Sequence, residues 1–186
     1  MNSICIKRMM NKTLAEEYIS EYKRIHENNP NYGHGPCTPE IKKYSKWCEE
    51  IQGVSRILDY GCGNSKLVDG VLPNLDLIRE RWDPAIPKYS TRPEPWKFDL
   101  VFCTDVMEHI PKENVLPTLR DIRAATKNAL IIPHLGKAGQ LLSNGKNSHV
   151  TVEPVKWWLK KIIEAGFDTA REMPILNERK AIIITW

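Results

Sequence analysis

The sequence lacks long apolar runs and an obvious export signal. Its longest apolar stretches, residues 129–133 and 181–185, are far too short to cross a bilayer. Residues 1–12 carry basic side chains but no apolar core of a signal peptide. We therefore expect a cytoplasmic protein with no membrane partner.

The sequence also lacks the patterns of a disulfide framework or a cysteine-bound zinc site. Its cysteines are odd in number, irregularly spaced and without a C-x-x-C pair, namely Cys5, Cys37, Cys48, Cys62 and Cys103. Reduced thiols are the expected state. No internal repeat or low-complexity tract occurs, and the net charge of +4 is too mild to indicate a nucleic-acid partner by itself.

What is present fits one α/β domain over residues 1–186. Short apolar segments at residues 56–60, 77–82, 98–103 and 128–133 predict strands, and helical patterns cover residues 114–126 and 154–165. This alternation indicates a parallel sheet with both faces covered. Two further segments, residues 169–175 and 180–186, predict a closing β-hairpin with its turn at residues 176–179.

Residues 1–52 predict a helical annex or lid that precedes a core over residues 53–186. Thr13 to Glu16 has the pattern of a capping box, and Tyr18, Tyr22 and Ile25 follow at helical spacing. A polar loop covers residues 27–37, after which Thr38 could cap a second helix.

The most informative motif is Asp59-Tyr60-Gly61-Cys62-Gly63, which follows a short apolar run. Glycines at such a turn allow a positive φ and let the backbone approach a ligand, and ligands bind at the carboxyl ends of strands in open α/β sheets. The full G-x-G-x-x-G pattern is absent, because Leu67 and Val68 follow, which argues against a pyrophosphate cofactor.

Three motifs in order resemble those of the class I S-adenosylmethionine-dependent methyltransferases: "ILDYGCG", an acidic residue after the second strand (Asp83), and "FDLVFCTDVMEHIP". The resemblance covers most of the chain from about Val54. It implies a Rossmann-like, mostly parallel sheet with an antiparallel C-terminal strand. The chain departs from the family where prolines crowd residues 83–96, so we expect a reduced third-strand region.

The resemblance implies S-adenosylmethionine as cofactor and a set of contacts to it. Asp59 would hold the methionine part and Asp83 the two ribose hydroxyls, since a carboxylate accepts both. The simpler alternatives are that Asp59 caps the turn and that Asp83 initiates a turn before Pro84. The expected cofactor-binding residues are Asp59, Tyr60, Gly61, Cys62, Gly63, Asp83, Pro84, Thr104 and Asp105.

The catalytic candidates are His109 and His134 as general bases, with Glu108 beside them. D-x-x-E-H followed by His149 also has the residue types of a metal site. Asp105, Glu108, His109 and His149 resemble the metal-binding set of small-RNA 2′-O-methyltransferases and of some quinone-pathway O-methyltransferases. Metal-free relatives share Glu-His-Ile-Pro, and we expect no metal. The loop residues Tyr32 to Gly35 are candidates for a lid, although an ordinary loop is the simpler expectation.

Two absences narrow the methyl acceptor. The chain has no [DNS]-P-P-[YF] tetrapeptide after the strand at residues 98–103, and Pro36-Cys37 is misplaced for a cytosine C5 nucleophile. The expected function is therefore methyl transfer to an oxygen or nitrogen of a small molecule or nucleotide. A nucleotide or RNA acceptor stays possible through Lys137, Lys146, Lys156, Lys160 and Lys161, but these basic side chains fit a solvated face better. The alternatives are a non-catalytic S-adenosylmethionine- or nucleoside-binding module, possibly a partner subunit, and a hydrolase or lyase that acts on the cofactor itself.

Overall fold

The computed structural model describes residues 3–173 and 180–186, with side chains from residue 15 onward. Its helices are α1 (Ser3–Asn28), α2 (Thr38–Cys48), α3 (Leu67–Gly70), α4 (Lys112–Ala125) and α5 (Val155–Glu164). Its strands are β1 (Arg56–Tyr60), β2 (Ile78–Trp82), β3 (Leu100–Thr104), β4 (Ala129–Ile132), β5 (Arg171–Met173) and β6 (Ile182–Ile184). Single 3₁₀ turns occupy Pro87–Tyr89 and Met107–His109.

The strands form one sheet in the order β2-β1-β3-β4-β6-β5. Strands β1 to β4 pair in parallel, whereas β6 is antiparallel to both β4 and β5. This confirms the predicted α/β fold with its mostly parallel sheet and C-terminal hairpin. The predicted hairpin turn, residues 176–179, lies outside the described residues.

Apolar side chains cover both faces of the sheet. Strands β3 and β4 are buried at every position, as expected for strands with helices on both sides. One face packs on α4 and α5 through residues such as Leu119 and Trp158. The other packs on α2 and α3 through Tyr44 and Leu67. The result is three layers, and the carboxyl ends of the parallel strands meet at one edge.

Both N-terminal helices begin earlier than their capping patterns predict. Helix α1 begins at Ser3 and runs through the capping-box pattern at Thr13. Helix α2 has Cys37 rather than Thr38 as its N-cap, because the backbone N–H of Cys37 donates to the Glu40 carboxylate at 2.9 Å. The capping interaction therefore sits one residue earlier than the preference for threonine suggests.

The proline-rich segment contains no strand at any of residues 83–96, all of which are described. A single 3₁₀ turn takes its place, which confirms the reduced third-strand region. Strand β2 consequently forms an edge of the sheet, and Ile78 at its start is 60% exposed.

The structure also bears on two other features considered in the sequence, membrane-spanning segments and the state of the cysteines. No helix among the described residues is long and apolar enough to cross a membrane. The cysteines with described side chains are all free thiols: Cys37, Cys48, Cys62 and Cys103.

Arg79 fastens the segment after the glycine turn to strand β2. Its guanidinium lies half-buried and donates to backbone carbonyls at the end of α3 and in the loop that follows, with distances of 2.7 Å to Val71, 3.0 Å to Leu72 and 3.3 Å to Leu75, as well as to Val68. These carbonyls belong to a helix end and loop that need partners. One planar side chain thus replaces several missing backbone bonds.

We expect Arg79→Met to lower the free energy of unfolding by about 2 kcal/mol, because it leaves half-buried carbonyls unpaired. Urea unfolding followed by circular dichroism measures the change. Arg120→Met, an exposed arginine on α4, is the matched control and should change stability by less than about 0.5 kcal/mol. Equal stability of the two variants would contradict the role given to Arg79.

Candidate functional site

A cavity of about 640 Å³ opens at the carboxyl ends of the parallel strands. This volume is in the range of small-molecule sites. All the residues predicted to bind a cofactor line it: Asp59, Tyr60, Gly61, Cys62, Gly63, Asp83, Pro84, Thr104 and Asp105. His109, His134 and His149 line it as well, whereas Glu108 lies fully buried beneath its surface.

The glycine turn after β1 has no room for side chains. Gly61 has φ +71°, and a Cβ there would come within 2.7 Å of the Val106 side chain. Gly63 has φ +49°, and a Cβ there would lie 2.9 Å from the carbonyl oxygen of Gly33. Glycine is therefore required at both positions for two reasons, the positive φ and the close approach of neighbouring atoms.

Asp83 joins the end of β2 to this turn. One of its carboxylate oxygens accepts the Gly63 N–H at 2.8 Å and the other accepts the Ala85 N–H at 2.8 Å. Each oxygen can accept a second hydrogen bond. Asp83 therefore shapes the turn and still presents lone pairs to a ligand in the cavity.

Asp59 is a buried carboxyl with an unused oxygen. It is 1% exposed, and its Oδ2 accepts no hydrogen bond from the described residues. Burial raises its pKa to about 7, although the Ser65 hydroxyl and the Arg81 guanidinium oppose the shift. A carboxyl that lines a cavity under these conditions is suited to a cationic ligand.

The loop between α1 and α2 forms one wall of the cavity. The Asn64 backbone N–H donates to the Gly33 carbonyl at 2.8 Å, and the Asn64 side chain donates to the Tyr32 carbonyl at 3.1 Å. Tyr32, Gly33, His34 and Gly35 all line the cavity. The loop is therefore docked on the glycine turn, and its role as a lid stays a prediction.

Helix α1 contributes side chains that the sequence analysis did not assign to the site. Tyr18, Tyr22 and His26 line the cavity, and the Tyr22 hydroxyl donates to the Ser148 carbonyl at 2.7 Å. Burial lowers the pKa of His26, while the nearby Asp83 opposes that shift. The available signal was the spacing of these residues, which places three side chains with polar tips on one helical stripe.

His109 has one ring nitrogen committed to the backbone. Its Nδ1 lies 3.0 Å from the Ser148 carbonyl, which can only accept, and 3.2 Å from the Tyr22 hydroxyl, which donates to the same carbonyl. We therefore assign the proton to Nδ1 and the lone pair to Nε2. Burial lowers the pKa of His109 to about 3, and the neighbouring His149 adds to the shift. His109 is thus a neutral imidazole at physiological pH and a weak base.

Glu108 and His149 lie next to it. Both Glu108 oxygens are buried without a hydrogen bond from the described part of the chain, and burial, with Asp105 adding to it, raises the Glu108 pKa to about 8. Backbone N–H groups of Glu108 and His134 oppose this shift without bonding either oxygen. His149 Nε2 lies 3.9 Å from Glu108 Oε1, and burial lowers the His149 pKa.

Asp105 does not face this group as an uncompensated carboxylate. It has φ +54°, and its Oδ2 accepts a hydrogen bond from Lys180 Nζ at 2.6 Å. Burial lowers the Lys180 pKa, but Asp105 and Glu40 outweigh it and the net shift is upward. The first member of the predicted metal set is therefore held in an ion pair.

His134 follows β4 and lines the same cavity. His134 Nδ1 lies 3.0 Å from the Gly136 N–H and 3.1 Å from the Gly136 carbonyl, so these two contacts do not select one tautomer of the ring. Both predicted general bases therefore line the cavity and have Nδ1 in contact with the backbone.

Comparison with known proteins gives a fold and no close relative. No protein-family model matches the chain, and no curated protein matches it significantly. Among solved structures, an O-methyltransferase family protein from Burkholderia thailandensis superposes with TM-score 0.58 at 14% identity, over 78% of this chain and 54% of that one. This chain therefore spans about half of that protein.

Two further solved structures that are similar to this chain are methyltransferases with other named acceptors. A 1,6-didemethyltoxoflavin-N1-methyltransferase from B. thailandensis, solved with bound 1,6-didemethyltoxoflavin and S-adenosylhomocysteine, has TM-score 0.55 at 11% identity, over 95% of this chain and 87% of that one. The small RNA methyltransferase HEN1 has TM-score 0.60 at 12% identity, over 78% and 24%. The chain has the fold of the class I S-adenosylmethionine-dependent methyltransferases.

Proposed function

We propose that this protein binds S-adenosylmethionine and transfers its methyl group to an oxygen or nitrogen of a small molecule or nucleotide. The observation that carries the proposal is the buried Asp59 carboxyl, which lines the cavity beside a side-chain-free glycine turn and has an oxygen with no partner among the described residues. The ammonium group of the cofactor's methionine part would supply the missing partner.

Asp83 supports the cofactor assignment from the neighbouring strand. Its oxygens hold the turn and retain lone pairs that vicinal ribose hydroxyls could use. The toxoflavin N1-methyltransferase with the same fold was solved with S-adenosylhomocysteine, the product form of this cofactor. The proposed cofactor contacts also include Thr104 and Asp105 at the end of β3.

The acceptor would lie on the histidine side of the cavity. Tyr22 and Tyr32 pack edge-on against His109 and line the cavity with it, which gives this end an aromatic wall suited to a compact acceptor. Lys137 lines the same cavity and could meet a nucleotide phosphate. Methyl transfer needs alignment and the removal of an acceptor proton rather than a catalytic triad.

A rival function keeps the cofactor but not the chemistry. A binding module or partner subunit would bind S-adenosylmethionine without transferring its methyl group, and a hydrolase or lyase would consume the cofactor alone. Purified protein with methyl-labelled cofactor and fractionated cell extract separates the three. Label in a new product supports methyl transfer, binding without turnover supports the module, and cofactor breakdown without extract supports the lyase or hydrolase.

We expect Asp59→Asn to weaken S-adenosylhomocysteine binding about ten- to a hundredfold, as for loss of a charge-assisted hydrogen bond. Below pH 7 the wild-type carboxyl is protonated, so affinity should fall as pH drops from 7 to 5, and the variant should lose this dependence. Titration calorimetry across that range measures both. Asp76→Asn, an exposed carboxylate, is the control.

The same variant should stabilise the ligand-free protein. The folded pKa is about 7 and the unfolded pKa about 3.9, so the folded state loses stability as pH rises from about 4 to 7. Asp59→Asn removes this loss, worth at most about 4 kcal/mol for a shift of roughly three units. Unfolding at pH 8 should show the gain and at pH 4 little of it. An Asp59→Asn variant less stable than wild type at pH 8 would contradict the destabilising role given to the Asp59 carboxylate.

We expect Asp83→Ala to weaken S-adenosylhomocysteine binding about ten- to a hundredfold. The change also removes two hydrogen bonds to the turn, so weaker binding by this variant alone does not identify the ribose contact. A thermodynamic cycle that changes both the residue and the ligand isolates that contact. An S-adenosylhomocysteine analogue that lacks the two ribose hydroxyls should bind wild type less tightly than S-adenosylhomocysteine does. The Asp83→Ala variant should bind the two ligands about equally. Undiminished preference for the hydroxylated ligand in the variant would move the ribose contact elsewhere.

A further inference from the structure

Helix α4 turns a polar stripe toward the ends of β1 and β2. Asn114, Thr118 and Asp121 follow one another at spacings of four and three residues, so they share one face of the helix. The Asp121 carboxylate accepts hydrogen bonds from the Tyr60 hydroxyl at 3.3 Å and from Arg92 at 2.7 Å, which fixes the direction of this face. Asn114 and Thr118, nearer the start of the helix, both line the cavity.

The reduced third-strand region explains why this helix borders the cavity. Residues 83–96, all of which are described, contain no strand. Trp96, the last of them, donates its indole N–H to the Asp121 carbonyl at 3.3 Å, so the segment packs on the C-terminal half of α4. The N-terminal half of α4 is left at the cavity, which Trp82 and Asp83 from the end of β2 also line.

The Asn114 side chain is the member of this stripe without a structural partner. Its backbone is fully used, because its N–H donates to the Pro111 carbonyl at 2.7 Å and its carbonyl accepts the Thr118 hydroxyl at 2.9 Å. Its carboxamide oxygen Oδ1 is buried and accepts no hydrogen bond from the described residues. A buried amide oxygen in this condition costs folding free energy, so a ligand group that donates to it would be stabilising.

The position of Asn114 along the sheet edge indicates which part of a ligand it meets. The sheet order β2-β1-β3-β4 places the stripe, which faces the ends of β1 and β2, away from His134 at the end of β4. Asp83, the proposed ribose contact, also follows β2, so the base of the same nucleoside would lie on this side of the cavity. The apolar side chains of Pro84, Val106 and Ile110 line the cavity as well and suit a flat ring.

We infer that Asn114 recognises the adenine base of the proposed cofactor. A carboxamide offers an acceptor and a donor side by side, which matches an adenine edge with its exocyclic amino group next to a ring nitrogen. Oδ1 accepts from the amino group, and the amide N–H donates to the ring nitrogen. Asn114 is not among the cofactor contacts that the sequence suggests, and it takes this role because α4 borders the cavity where the third-strand region is reduced. The inference rests on cofactor binding in the proposed function and not on methyl transfer.

The test compares S-adenosylhomocysteine with an analogue in which hydrogen replaces the amino group of the base. In titration calorimetry, wild type should bind the analogue about tenfold more weakly, as for the loss of one hydrogen bond to a buried group. Asn114→Leu, which has a similar volume and no hydrogen-bonding group, should bind the two ligands within about twofold of each other. Thr118→Val is the matched control on the same stripe and should keep the preference of about tenfold, because the Thr118 hydroxyl bonds the helix backbone.

Folding and the proposed function are checked separately. Urea unfolding should show Asn114→Leu to be at least as stable as wild type, because the change removes an unpaired buried amide. If Asn114→Leu does not fold, Asn114→Ala decides by the same comparison of ligands. Equal binding of the two ligands by wild type, or an unchanged preference in the variant, would overturn the inference and leave the proposed function standing. Wild-type protein that binds neither ligand would overturn the proposed cofactor, and the inference with it.

Discussion

The hydrogen bond from the Gly63 amide to the Asp83 carboxylate joins the ends of two neighbouring strands, and the cavity depends on it. It holds the glycine turn against β2, where the Gly61 amide also donates to the Trp82 carbonyl at 2.7 Å. The turn in turn receives the N-terminal loop through Asn64. A side chain at either glycine would collide with Val106 or with the loop. The absence of side chains is therefore a packing requirement of the turn itself.

Two buried carboxyls show that the site is not arranged for the stability of the empty protein. Asp59 and Glu108 both have unpartnered oxygens within the described structure, and burial raises both pKa values. Each costs folding free energy in the empty protein, and a domain of this size has only about 5–15 kcal/mol in total. The fully buried strands β3 and β4 and the fastening of the α3 segment by Arg79 offset that cost.

The sequence predicted the sheet and the cofactor edge because both follow from local patterns. Apolar runs identified β1 to β4 within two residues, and the positions after β1, β2 and β3 meet at one cavity because parallel strands end on the same side. The contacts that complete the site are not local. Tyr22 meets Ser148 across 126 residues, and Lys180 pairs with Asp105 across 75. Neither Ser148 nor Lys180 belongs to a recognisable sequence motif. Only the fold shows that the Asp105 carboxylate has a cationic partner while the Glu108 carboxyl has none among the described residues.

The charges around the cavity favour the reactant form of the proposed cofactor over its product. Asp59 and Asp83 line the cavity as acidic groups, Asp105 is compensated by Lys180, and the nearby imidazoles of His109 and His149 have lowered pKa values. S-adenosylmethionine carries a sulfonium charge that disappears when the methyl group leaves. An acidic, partly dehydrated site attracts the charged form more strongly than the neutral thioether, because Coulomb interactions grow as water is excluded. The carboxyls that weaken the empty fold would thus also promote exchange of spent cofactor for fresh cofactor.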